Sequence, residues 1–287
     1  MIMPETVPMG SLQNTPPPQT SSTVSHHSVR KRIEPEGREL RGLRRADALI
    51  ASGKLDKALA HLRRLNTSFP GSTRVPLRIA ALLRETRRPA EALEVLRNAV
   101  RRTPQLTAPR EALAEMCLEV GRWEEAIHEC QVLLSLAPRS LPARDVLSAA
   151  YLQRGLIEKA LQVTEEMITL DPHDAAHHFK RGVLLQQQGM VGPALREFQR
   201  VLQMDADGEA ADEARAAIEM LDTFQLRQII TLAVEDIPFR LNLREDPSYA
   251  ITSRGYYLSE RGIATLAQLR FEETTLPRPG WRHYRYQ

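Results

Sequence analysis

Three histidines and two cysteines are the residues whose spacing most resembles chemistry. His173 and His177 stand four apart, with His178 alongside. On a continuous helix that spacing puts two imidazoles on one face, where they could hold a metal. Pro172 and Asp174 mark a turn and a helix start at that point, which breaks the face and leaves all three as polar residues at a helix beginning. Cys117 and Cys130 resemble a redox pair, yet both occupy large-residue positions of a repeating pattern. A buried, reduced pair behaving as small hydrophobes is therefore expected. The chain contains no GxxxxGKS/T phosphate loop, no GxGxxG, no HExxH and no GxSxG. It is accordingly read as non-enzymatic, with no metal and no cofactor.

The elements that carry these residues follow a strict period. Ala58, Ala92, Ala126, Ala160 and Ala194 are each 34 residues apart. Each of the first four is followed at the same distance by a proline: Pro70, Pro104, Pro138 and Pro172. Ahead of each Ala lies a turn position, filled by Gly53, Arg87, Gly121, Gly155 and Gly189. Earlier again is a small residue, in turn Ala46, Ala80, Ala114, Ser148 and Gly182. Such a unit is a helical hairpin: an amphipathic helix A, a turn, a helix B with the small residue at the crossing, and a proline that stops it. One hairpin cannot bury its apolar face alone, so stacked neighbours make a continuous core.

These residues resemble the tetratricopeptide repeat family, whose pattern W-x2-L-G-x2-Y, then A-x3-F, then P, maps onto repeats 39–72, 73–106, 107–140, 141–174 and 175–208. The chain departs from that pattern in places. No repeat has the Trp, only Tyr151 keeps the Tyr and Phe198 the Phe, Arg87 replaces a Gly, and Ala206 replaces the last Pro. The resemblance implies an all-α, right-handed superhelical solenoid of five helix pairs, closed by a capping helix at 209–224 whose acidic face is solvated. It also implies a concave groove lined by helix-A residues that binds a partner protein.

The flanking segments read differently. Residues 1–38 hold six of the nineteen prolines and the Ser/Thr run around Ser21, and are expected to be a disordered tail; Arg30, Lys31 and Arg32 fit a solvated linker. No signal-peptide pattern opens the chain and no apolar run is long enough to span a membrane, so the expected compartment is the cytoplasm. Residues 225–276 are expected to form a small helical module, with Asp246–Pro247 and Ser259 as helix starts. Within it, FRLNLREDPSYAI faintly resembles the FRxxLxxDPxxAL element of leader-peptide-like helical segments in bacterial proteins, which hints at a bacterial origin. Residues 277–287 form a basic aromatic tail with Trp281, Tyr284 and Tyr286.

Charge separates the repeats. Over the whole chain the net charge is only +3 and aromatics are 5%, against general polyanion binding and base stacking. Repeats one and two carry net +4 and +5, repeats three and four −3 each, repeat five +1 and the cap −4. The predicted partner-binding groove comprises Leu40, Leu43, Arg44, Ile50, Arg74, Leu77, Arg78, Arg84, Glu111, Glu115 and Glu119. Glu111, Glu115 and Glu119 repeat every four residues, a stripe that either reads a ligand or is neutralised by neighbouring Arg side chains. The family's chaperone-binding members grip a carboxylate with Lys, Arg and Asn. The matching positions here are Arg44, Arg78, Ala112, Val146 and Lys180, then Asp47, Ala81, Glu115, Ala149 and Val183, with no Asn, so a chaperone-tail receptor is not expected. The favoured reading is an adaptor that binds a peptide or helix of another protein. The rival is RNA or DNA bound by the basic first two repeats.

Overall fold

The computed structural model describes residues 26–269, with side chains from Gly37 onward. Every element among these residues is an α-helix. The chain divides at Phe69/Pro70 into two units.

The first unit is one hairpin, α1 (His26–Ala51) and α2 (Leu55–Ser68). Ala46 and Ala58, the small residues of the two helices, are both fully buried at their crossing. Gly42 lets the helices close further, since a Cβ there would lie 2.6 Å from Leu65 Cδ1. His61 Nε2 donates to the Gly42 carbonyl at 3.1 Å. The helix begins at His26 and not at Glu39, so residues 26–38, expected in the disordered tail, are helical. The prolines and serines ahead of them set the composition of the segment, whereas Arg, Lys, Glu and Leu from Arg30 onward are strong helix formers. The rest of the predicted tail, residues 1–25, lies outside the described residues.

The second unit begins with four further hairpins: α3 (Arg74–Glu85) with α4 (Pro89–Arg102), α5 (Thr107–Glu119) with α6 (Trp123–Leu136), α7 (Leu141–Gln153) with α8 (Ile157–Leu170), and α9 (Ala175–Gln187) with α10 (Val191–Met204). Within this unit each helix A packs on its own helix B, α5, α7 and α9 also pack on the helix B before them, and α3, α5 and α7 touch in sequence. The repeating alanines Ala92, Ala126, Ala160 and Ala194 are all fully buried, as the period requires. All five hairpin turns use a left-handed residue. Gly53, Gly121, Gly155 and Gly189 have φ between 69° and 77°, and Arg87 takes the same turn at φ 57° despite its Cβ. Helix B stops where the following proline disfavours helical geometry: Thr103, Ala137 and Asp171 leave the helix immediately before Pro104, Pro138 and Pro172.

Beyond α10 the structure departs from a separate cap and module. Helix α11 runs unbroken from Glu209 to Glu235, through the boundary expected at 224/225. No breaker interrupts it, and its buried face continues as Ala211, Ala214, Ala217, Leu221, Gln225, Ile229 and Ala233. Its first half packs on α9 and α10. The second half, with α12 (Ile237–Glu245), α13 (Pro247–Ser253) and α14 (Glu260–Gln268), encloses a second core around Ile229, Phe239, Leu243, Ile251 and Leu266. Asp236, Asp246 and Ser259 cap these three helices through their side chains. Residues 270–287, which include the aromatic tail, lie outside the described residues.

The cap's acidic face is not wholly solvated. Asp222 is 7% exposed and accepts from the Ser259 backbone N–H at 2.8 Å and from the Ser259 hydroxyl. One turn along, the Gln225 amide accepts from Tyr257 N at 2.8 Å and donates to the Tyr257 carbonyl. The Tyr257 ring covers Gly192 at the start of α10, where a Cβ would lie 2.9 Å from it. Two buried polar side chains therefore fasten the last helices to the repeats.

Candidate functional site

The helix-A faces place the predicted groove residues as follows. On α1, Leu40 and Arg44 are exposed and Leu43 and Ile50 half-buried. On α3, Arg74 and Arg84 are exposed, and Leu77 and Arg78 half-buried. On α5, Glu115 and Glu119 are exposed and Glu111 half-buried.

Within the second unit the structure brings Arg84 and the α5 carboxylates together. Arg84 Nη1 donates to Glu119 Oε1 at 3.0 Å, joining repeats two and three. Burial pushes the Glu115 carboxyl above its ordinary range; Glu119 and Glu111 push the same way, against the opposing pull of Arg84. A second bridge, between Lys180 and Asp145, joins α9 to α7 and was not foreseen. Its members are 35 residues apart, the same separation as Arg84 and Glu119, and that register was the signal available in the sequence. Between them Ala112, Val146, Ala149, Leu152 and Val183 on the same helices are half-buried, so apolar surface lies among the charges.

Elsewhere the charges serve the packing. Arg97 forks onto Glu125 at 2.7 and 2.8 Å, Arg110 pairs with Glu129, and Glu197 receives both His178 Nδ1 at 2.8 Å and Arg181 at 3.4 Å. The histidines separate as the turn implies. Asp174 caps α9 through Ala176 N, and His173 lies exposed before the helix. His177 and His178 are buried rather than merely placed at a helix start: His177 takes the repeat position of the buried Val75, Pro109 and Ala143, and His178 is held against Glu197 of its own helix B. Cys117 and Cys130 are free and buried. Burial, above all, pushes each thiol up to about 12, with Glu125 adding to the effect at Cys117 and Glu129 at Cys130. An open cleft of about 770 Å³, walled by α10, α11 and the start of α14, also escaped the sequence reading, since it depends on how α14 docks. Among the described residues no helix is long and apolar enough to cross a membrane.

Two models of the tetratricopeptide repeat match the sequence, over residues 49–116 and 147–219. No curated protein sequence matches it. Among solved structures, MamA is similar at 19% identity, covering 56% of this chain and 94% of that one, with a TM-score of 0.51. MamA from Desulfovibrio magneticus RS-1, from residue 41 onward, gives 15% identity over 60% and 97%, with a TM-score of 0.53. YrrB, described as a TPR protein with an unusual peptide-binding site, gives 18% identity over 65% and 96%, with a TM-score of 0.50. At such identities these likenesses concern the fold. Taken with the 34-residue period, the buried alanines and the left-handed turns, the repeat matches establish that the chain belongs to the tetratricopeptide repeat family.

Proposed function

We propose that the protein is a non-enzymatic, cytoplasmic interaction scaffold whose helix-A faces bind a peptide or helical segment of another protein. Tetratricopeptide repeats are protein-interaction modules in general, and the use of this fold for peptide binding in YrrB supports the same use here. The observation that carries the reading is the α5 stripe. Three carboxylates follow one another at single-turn spacing, and Glu119 is the member of the three that has an ion-pair partner among the described residues. Like charges held together in this way work against folding, with Glu115 disfavoured as an anion by its own surroundings. A bound segment bearing Lys or Arg would relieve that cost, and the half-buried Val146, Leu152 and Val183 would take its apolar side chains.

The test is affinity for a protein captured from native cytoplasm, with and without nuclease, at two salt concentrations. Glu115→Lys is expected to weaken binding several-fold, whereas Arg78→Glu tests the opposite end of the predicted groove. Tighter binding by Glu115→Lys together with loss on nuclease treatment would reject the scaffold reading in favour of the nucleic-acid rival.

A further inference from the structure

The outward face of α11 is apolar where a solenoid end is ordinarily polar. Met220 and Phe224 are each 59% exposed, Ile230 38% and Val234 45%. At 100° per residue these four lie within an arc of about 120°, opposite the face that carries Leu221, Gln225, Ile229 and Ala233 into the two cores. Thr223, Arg227 and Thr231 share the arc and are also exposed.

The spacing along this arc is symmetric. From Met220 to Phe224, Arg227, Ile230 and Val234 the steps are four, three, three and four. An antiparallel copy of the same helix, related by a two-fold axis through Arg227, sets Met220 against Val234 and Phe224 against Ile230 twice over. Such matching is what an isologous interface requires. Four large side chains near half exposure present on the order of 400 Å² of apolar surface, the size at which a patch on a monomer marks a contact. A stable interface covers roughly 800 Å² per partner. Thr223, Arg227, Thr231 and the exposed Ile237, which follows Val234 at the start of α12, enlarge the patch toward that size.

We infer that this stripe is a homodimer interface and that its occupant is the α11 of a second copy, antiparallel and crossing at Arg227. The two Arg227 guanidinium groups meet at the axis, where their repulsion tempers the apolar gain and keeps the association reversible. The stripe lies on α11 and the scaffold reading rests on residues of α5, α7 and α9, so the two stand on separate observations.

Sedimentation equilibrium of the full chain over a range of concentrations tests it. The wild type is expected to show a monomer–dimer equilibrium, and Phe224→Glu to raise the dissociation constant by about a hundredfold, as loss of an interface anchor does. Arg227→Glu places two carboxylates on the axis, so that variant alone stays weak. Its mixture with wild type pairs Arg227 with glutamate and is expected to form a heterodimer tighter than either homodimer. A full chain that remains monomeric overturns the inference, whether residues 270–287 or a different protein then covers the stripe. A dimer indifferent to Phe224→Glu, or a mixture showing no preference for the heterodimer, overturns it as well.

Discussion

Phe198 lies directly over Gly182: a Cβ on that glycine would be 2.6 Å from the ring's Cε1 and 2.8 Å from Cδ1. The ring is fully buried and packs on Phe179 at 5.6 Å between centroids. Repeat five thus pairs the largest helix-B residue of its register with the smallest helix-A residue, where the other repeats use Ala or Ser against Leu, Cys or Thr. Glycine to alanine inside a helix ordinarily gains about 1 kcal/mol. Here the enclosed ring cannot yield, and overpacking costs about 1–3 kcal/mol. Gly182→Ala is therefore expected to lower the urea midpoint, and a higher midpoint would reject the packing.

Arg87 makes the opposite case. A side chain at φ 57° costs roughly 1–2 kcal/mol, more than the extra chain entropy that glycine loses on folding, about 0.5–1 kcal/mol. Arg87→Gly is expected to stabilise the protein by about 0.5–1 kcal/mol, read from thermal or urea unfolding.

With both thiols pushed up to about 12, neither cysteine is a thiolate near neutral pH. Cys117 and Cys130 are expected to resist alkylation in the native protein at pH 8 and to react fully in denaturant. Rapid native labelling of either, followed by mass spectrometry, would contradict the buried assignment.

Asp222 receives both the backbone N–H and the hydroxyl of Ser259. Truncation to alanine leaves two buried donors without a partner, at a cost of about 1–3 kcal/mol. Asp222→Ala is expected to speed hydrogen exchange throughout α14 while α3 to α6 keep their protection.

Glu125 is held below the ordinary carboxylate range chiefly by its fork from Arg97. A carboxyl lowered in the folded state contributes stability above its unfolded pKa and loses it as pH falls through the folded one. The stability gap between wild type and Glu125→Gln should accordingly be full at pH 7 and shrink as the solution is acidified through the carboxylate range. A gap independent of pH would assign the loss to packing.

Much of the fold was legible because a repeat reports each position several times. Ala58 and its equivalents, the left-handed turn that extends even to Arg87, and the prolines all stand where the period puts them. The period could not say where helices run past it. The start of α1 at His26 and the continuation of α11 past Phe224 depend on local propensity and on a partner surface supplied by α12 to α14. Among the predicted groove residues, the α5 stripe was visible as three glutamates, and its pairing with Arg84 was foreseen only as an alternative. The Lys180–Asp145 bridge required knowing which faces adjoin. Asp222 fell within the cap's expected solvated acidic face because its partner, Ser259, lies more than thirty residues downstream.

Because α11 is one uninterrupted helix, the angle between its two cores is fixed by counting residues. The side chains that enter the repeats and those that enter the last core share a single rod of 27 residues, about 40 Å long. Each residue sets 100° of azimuth and 1.5 Å of rise. One residue inserted after Phe224 would swing the terminal helices by about 100° around the rod and carry Ser259 away from Asp222. Seven would nearly restore the azimuth, but displace those helices by about 10 Å along the axis. Helical phase in this segment, more than any individual contact, sets the orientation of the terminal helices.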